Sequence, residues 1–176
     1  MNLNTLVING YSNAGKSTFS RWLADRCCAD IVSTEDGGIE RNGLAAFWRE
    51  LENYNSAGLV SLLGVRKRPI ILDWAYPPYR HSLRMVRAFM AADIPVWWFD
   101  ADAKQARESY VRRENHTLDL TGFDNQANLI EVTRSELLHL YGERFLCTLD
   151  ASGNRMSGEQ ILERIREIDA LPWLAK

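Results

Sequence analysis

Five short runs rich in apolar and β-branched residues punctuate this chain: Leu3–Asn9, Asp30–Ser33, Pro69–Asp73, Val96–Asp100 and Phe145–Leu149. Between them, apolar positions recur every three to four residues. Phe19, Trp22, Leu23 and Arg26 predict a helix over Lys16–Cys28, and Leu83, Val86 and Met90 predict another over Tyr79–Ala92. Further helices are expected at Asp102–Glu114, Asn125–Leu140 and Ser157–Leu171. Strands that alternate with helices build a mostly parallel sheet, here of five strands, covered by helices on both faces. The stretch 37–64 is longer than one crossover helix requires, and its glycines at 37, 38, 43, 58 and 64 predict two helices with bends. After a cluster of arginines, residues 115–125 turn polar around Gly122 and read as a mobile loop.

Composition narrows the class without naming it. At 176 residues, 46% hydrophobic and 25% charged, with 5 Pro and 11 Gly, the chain fits one soluble globular domain spanning 1–176. No apolar run reaches the ~20 residues that cross a bilayer, and the N-terminus opens into a strand, so a cytoplasmic location without a membrane partner is expected. Cys27, Cys28 and Cys147 form no CxxC pair, and His81, His116 and His139 lie far apart, so neither a disulfide framework nor a zinc site is expected. A net charge of −2 argues against a general nucleic-acid coat protein.

One segment carries specific chemistry. Gly10-Tyr-Ser-Asn-Ala-Gly15-Lys16-Ser17 fits GxxxxGK[ST], directly after an apolar strand and directly before an amphipathic helix. The glycines let the backbone curl so that N–H groups face phosphate oxygens, and the helix N-terminus adds the positive end of its dipole. Gly10, Ser12, Asn13, Ala14, Gly15, Lys16, Ser17 and Thr18 are therefore the expected contacts of a nucleoside triphosphate such as ATP. Lys16 is expected to reach the β- and γ-phosphates, and Ser17 to offer its hydroxyl to Mg²⁺. The motif predicts a three-layer P-loop NTPase fold. No NKxD guanine-reading motif and no LSGGQ signature is present, and Asp119-Leu-Thr-Gly122, although it fits DxxG, stands far from any strand end that could sense a γ-phosphate. Asp73 closes the third apolar run, faces the phosphates in such a sheet and is the second candidate for Mg²⁺.

The order of these residues resembles the P-loop kinases related to polynucleotide 5′-hydroxyl kinases, with adenylylsulfate, gluconate and zeta-toxin kinases as cousins. The likeness spans Leu3 to about Glu114. Asp36 stands twenty residues after Lys16, just past the second strand, where these kinases place the carboxylate that takes the acceptor proton. Asp73, Pro78 and Arg80 are similar to the Asp-x4-Pro-x-Arg segment that opens a helix in polynucleotide kinases, and Arg112 and Arg113 resemble lid arginines, with a lid over 112–125. Gly37-Gly38-Ile39 stands where the family carries an arginine after its base, leaving Arg41 as the nearest one. The implied activity is transfer of the γ-phosphate of ATP to a hydroxyl. Glu35 rivals Asp36 as base, and Arg107 joins Arg112 and Arg113 as a candidate to meet charge on the transferring group.

The acceptor is less defined. Residues 37–64 are the natural acceptor-binding insertion. Arg80, Arg84 and Arg87 recur at helical spacing and form either a basic stripe for an anionic acceptor or a solvated face. Trp74, Tyr76 and Tyr79, interleaved with Pro77 and Pro78, either stack a base or pack against neighbouring helices. Trp48 and Tyr54 are further candidates for that wall, whereas Trp97 and Trp98 read as core. The expected acceptor-binding set is Glu35, Arg41, Trp74, Tyr76, Arg80 and Arg84. A nucleotide or nucleic-acid acceptor, a small polar metabolite and a nucleotide-binding regulator without transfer remain three readings of one cradle.

Overall fold

The computed structural model describes residues 3–34, 43–75, 77–112, 119–149 and 154–174. Five strands, β1 (Thr5–Gly10), β2 (Asp30–Ser33), β3 (Ile70–Asp73), β4 (Val96–Asp100) and β5 (Phe145–Cys147), form one sheet in the order β2-β3-β1-β4-β5. Every neighbouring pair is parallel. The central strands are buried on both faces, as their unbroken apolar runs require, with Leu6, Ile8, Ile71, Trp97 and Trp98 inaccessible to solvent.

Helices α1 (Lys16–Cys27), α2 (Ala45–Glu52), α3 (Ser56–Gly64), α4 (Arg80–Ala91), α5 (Ala103–Val111), α6 (Leu120–Tyr141) and α7 (Gly158–Ile168) alternate with the strands. The β1-to-β2 crossover runs in the opposite direction from β3-to-β4 and β4-to-β5. Right-handed connections therefore place α1 on one face and α4 and α6 on the other, and α7 packs beside α1. The two helices expected in 37–64 are α2 and α3, which pack on each other and on α4. Asn55 caps α3 by accepting from the Gly58 N–H at 3.1 Å.

Several boundaries differ from expectation for local reasons. The loop expected to run to residue 125, and with it the lid expected over 112–125, stops short, because α6 begins at Leu120. Asp119 is its N-cap and accepts from the Gly122 N–H at 2.6 Å, which accounts for the DxxG pattern as a helix start. The helix expected to reach Leu171 stops at Ile168, because the Asp169 carboxylate turns inward to Arg144 and to the Trp97 indole. The last strand ends at Cys147, and Leu149 instead makes an antiparallel bridge with Arg155.

Candidate functional site

In an open α/β sheet, ligands bind beyond the carboxyl ends of strands whose crossovers leave to opposite faces. Here those strands are β1, which feeds α1, and its neighbours β3 and β4, which feed α4 and α5. The Gly10–Ser17 loop rises from β1 at this point. Asp73, 7% exposed, closes β3 in register with Ile8, so the loop and the carboxylate share one crevice.

The loop conformation follows from its sequence. Gly10 has φ 137° and lies so close to Phe99 that a Cβ there would stand 2.1 Å from the Phe99 carbonyl oxygen. Asn13 (φ 64°) and Gly15 (φ 89°) take the left-handed conformation, which turns successive amides inward. Gly15 caps α1 with no side-chain acceptor, and no acidic residue occupies the first turn, so the amides of Lys16, Ser17 and Thr18 open onto the crevice. Lys16 Nζ donates to the carbonyls of Gly10 (3.2 Å) and Tyr11 (3.0 Å), which holds the ammonium across the loop where a phosphate chain would lie. Ala14 is buried and its amide closes the turn on Tyr11 O at 3.1 Å.

Three elements brace the loop. Ser12 Oγ donates to Gln126 Oε1 on α6 (2.5 Å), and Asn13 Nδ2 donates to Ala106 O on α5 (3.2 Å). Arg155 donates to Asn13 O at 2.8 Å. Arg155 escaped the sequence reading, since the signal that brings it here is the fold-back of Leu149 and Arg155 beside the sheet edge. It lines a cavity of about 300 Å³ with Arg112, Gln105, Glu108, Ser109 and Leu149, directly alongside the cradle.

Behind the loop, the Tyr11 hydroxyl is buried without a hydrogen-bond partner among the described residues. Burial, with smaller contributions from Glu131, Asp100, Asp102 and Asp124, pushes its pKa up to about 12. Asp100 at the end of β4 is held by Arg134 of α6 at 2.5 Å, a strut that fixes α6 against the sheet.

The remaining predicted residues are placed as follows. Asp36, Glu35, Arg41, Tyr76 and Arg113 lie outside the described residues. The end of β2 reaches the crevice, because Thr34 N donates to Asp73 O (3.1 Å) and Thr34 Oγ1 accepts from Ala75 N (3.0 Å). Arg112 is 79% exposed and stands 3.8 Å from Glu108. Arg107 binds Asp124 at 2.8 Å, and that hydrogen bond holds the Asp124 carboxyl below the usual carboxylate range. Trp74 corrects an expectation: it is 0% exposed, with its ring centroid 5.4 Å from Phe89 and 5.7 Å from Trp48, so it is core and not an acceptor platform. The arginine stripe is likewise divided. Arg84 stacks over the Tyr54 ring at 3.9 Å, Arg87 pairs with Glu136 at 3.0 Å, and Arg80 is exposed at the first turn of α4.

No protein-family model and no curated protein sequence matches the chain. Solved structures match over nearly its whole length. Shikimate kinase from Acinetobacter baumannii, in complex with shikimate, aligns with a TM-score of 0.54 at 16% identity, covering 93% of this chain and 91% of that one. The tunicamycin resistance protein of Deinococcus radiodurans aligns with a TM-score of 0.54 at 15% identity, over 93% and 94% of the two chains. Shikimate kinase from Bacteroides thetaiotaomicron gives 0.54 at 15%, over 93% and 97%. The fold is the three-layer P-loop fold. Among the described residues no helix is long and apolar enough to cross a membrane.

Proposed function

We propose that the chain is an ATP-dependent kinase that transfers the γ-phosphate to a hydroxyl. The observation that carries this reading is the GxxxxGK[ST] loop, wound at the carboxyl end of the central strand, with Asp73 closing the neighbouring strand in register with Ile8. The left-handed Gly15 and Asn13, the uncapped start of α1 and the tethered Lys16 ammonium fit a triphosphate. The Ser17 hydroxyl and the Asp73 carboxylate fit a Mg²⁺ that keeps most of its ligands as phosphate and water oxygens. When bound, the ion neutralises charge on the phosphates.

In this reading the loop amides and Lys16 hold the β- and γ-phosphates, and Asp36 takes the proton as the acceptor oxygen bonds to γ-phosphorus. The bond from γ-phosphorus to the β–γ bridging oxygen breaks, and ADP leaves. Arg112 or Arg113 meets charge on the transferring group, the segment between α5 and α6 acts as lid, and the cavity beside Arg155 takes the nucleotide base. Residues 37–64, whose α2 and α3 pack on α4, flank the acceptor side, and the chain acts as one kinase domain over 1–176.

The order of Asp36, Asp73, Pro78 and Arg80 supports a nucleotide-like acceptor, as the resemblance to polynucleotide 5′-hydroxyl kinases implies. The engagement of Arg84 and Arg87 within the protein favours a small molecule over a strand. The test is transfer of labelled γ-phosphate from Mg·ATP to a panel of single-stranded DNA, RNA, nucleosides, sugars and sugar nucleotides. Transfer to one class, lost in Asp36→Asn, is the expected result. Nucleotide binding with no transfer to any acceptor would instead make the protein a regulator.

A further inference from the structure

Between α4 and α6, both of which start at the crevice and run down the same face of the sheet, lies a groove of about 500 Å³. Its volume falls within the range of small-molecule sites. Its upper wall is Pro78, Tyr79 and Leu83 on one side and Leu129 on the other, and its floor is closed by the Arg87–Glu136 ion pair at 3.0 Å. From Arg80 to Arg87 the helical rise gives it a length of about 10 Å. Tyr79, which lines it, is 59% exposed.

The charges around the groove say what its occupant carries. A nucleic-acid strand needs a succession of cations along its phosphates. Of the three arginines on this helix, Arg84 is stacked on Tyr54 and Arg87 is neutralised by Glu136. Arg80 has no carboxylate partner among the described residues and lines the groove at the end nearest Asp73. One cation at the mouth, apolar walls below it and a closed floor complement a short molecule with a single anionic group. They do not complement a polymer.

We infer that the acceptor is a small molecule carrying one anionic group, phosphate or carboxylate, on an apolar ring-like body, with Arg80 taking the anion and the α4–α6 groove taking the body. This rests on the kinase reading, since Arg80 stands at the end of the groove nearest Asp73 and the phosphate loop. Tyr79 and Pro78 supply the flat apolar contact, and Leu83 and Leu129 the depth.

Backbone amide NMR of the full chain separates the two claims. Adding a non-hydrolysable Mg·ATP analogue shifts the amides of Gly10–Ser17 if the cradle binds nucleotide, whatever the groove does. With the cradle then saturated, phenyl phosphate, benzoate, inorganic phosphate and a single-stranded DNA octamer are titrated in separate experiments. The expected result is that phenyl phosphate or benzoate moves the amides of Arg80–Arg84 and Leu129–Thr133 with at least ten-fold tighter affinity than inorganic phosphate, and the tighter of the two identifies the anionic head. Arg80→Gln is expected to weaken that binding at least ten-fold. Tyr79→Ala, at an exposed position, is expected to bring the ring compound down to the affinity of inorganic phosphate. Equal affinity for the ring compounds and inorganic phosphate overturns the inference. So do groove amides that stay still while cradle amides move, and so does octamer binding whose salt dependence reports three or more neutralised phosphates.

Discussion

Alanine at Gly10 and alanine at Gly15 look equivalent in the motif, yet the structure separates them. A Cβ at Gly10 would meet the Phe99 backbone at 2.1 Å (oxygen), 2.6 Å (nitrogen) and 2.8 Å (carbonyl carbon), at φ +137°. Backbone cannot rotate away, so β1 and β4 must part by more than ~1 Å to restore an ordinary contact. That displacement breaks the Tyr11 N–H to Phe99 O bond, 2.8 Å in the native sheet, and leaves a buried donor unpaired at a cost of about 1–3 kcal/mol. The unfavourable φ adds about 1–3 kcal/mol, for a total of about 2–6 kcal/mol. At Gly15 the nearest atom is Arg155 Nη1 at 3.2 Å, the end of a flexible side chain that yields easily. Only the left-handed φ of +89° remains, worth about 1–2 kcal/mol. Urea unfolding followed by tryptophan fluorescence reads the difference. With a slope of about 1–3 kcal/mol per M, Gly10→Ala is expected to lower the midpoint by at least ~0.7 M, and Gly15→Ala by clearly less at the same slope. Equal midpoints, or a larger loss at Gly15, would refute the close-approach argument.

Three further outcomes are expected. Lys16→Ala removes the charge placed for the γ-phosphate and is expected to lower kcat/KM for transfer at least ~100-fold, about 3 kcal/mol, with an unchanged far-UV spectrum; retained turnover would contradict the assigned cradle. Tyr11→Phe deletes a buried hydroxyl with no partner among the described residues, and is expected to raise stability at pH 7 by up to about 1 kcal/mol. Because the folded pKa of Tyr11, about 12, lies above its ordinary value of 10, folding favours the neutral phenol. That contribution is complete below pH 10 and is lost as pH rises through 12, so denaturant melts across this window should show the wild type losing more stability than Tyr11→Phe. Arg155→Ala releases the Asn13 carbonyl and is expected to weaken Mg·ATP about ten-fold by calorimetry, near 1.4 kcal/mol; unchanged affinity would assign Arg155 no part in the site.

Much of the architecture was legible because its causes are local. Apolar runs such as Ile70–Asp73, with no polar alternation, can only be strands covered on both faces, and the glycines of 10–17 specify a turn whose conformation L side chains resist. The two helices of 37–64 followed from its length and from its glycines. Where expectation missed, the deciding partner was more distant. The start of α6 was misjudged because Asp119 and Gly122 look like loop residues until the capping bond between them is seen. Trp74 sits among prolines and tyrosines and reads as a binding platform, yet Trp48 and Phe89 bury it completely.

The sequence by itself determined that a phosphate cradle stands between a strand and a helix, because a strand end, two glycines, a lysine and a serine within eight residues constrain one another through the backbone. The tertiary structure alone decided which cations remain to meet a ligand. Arg84, Arg87 and Arg107 find Tyr54, Glu136 and Asp124, while Arg155 reaches Asn13 from 142 residues away. A side chain's charge is written at its own position, but its neutralisation depends on what packing brings within about 4 Å, and helical spacing carries no information about the opposing helix.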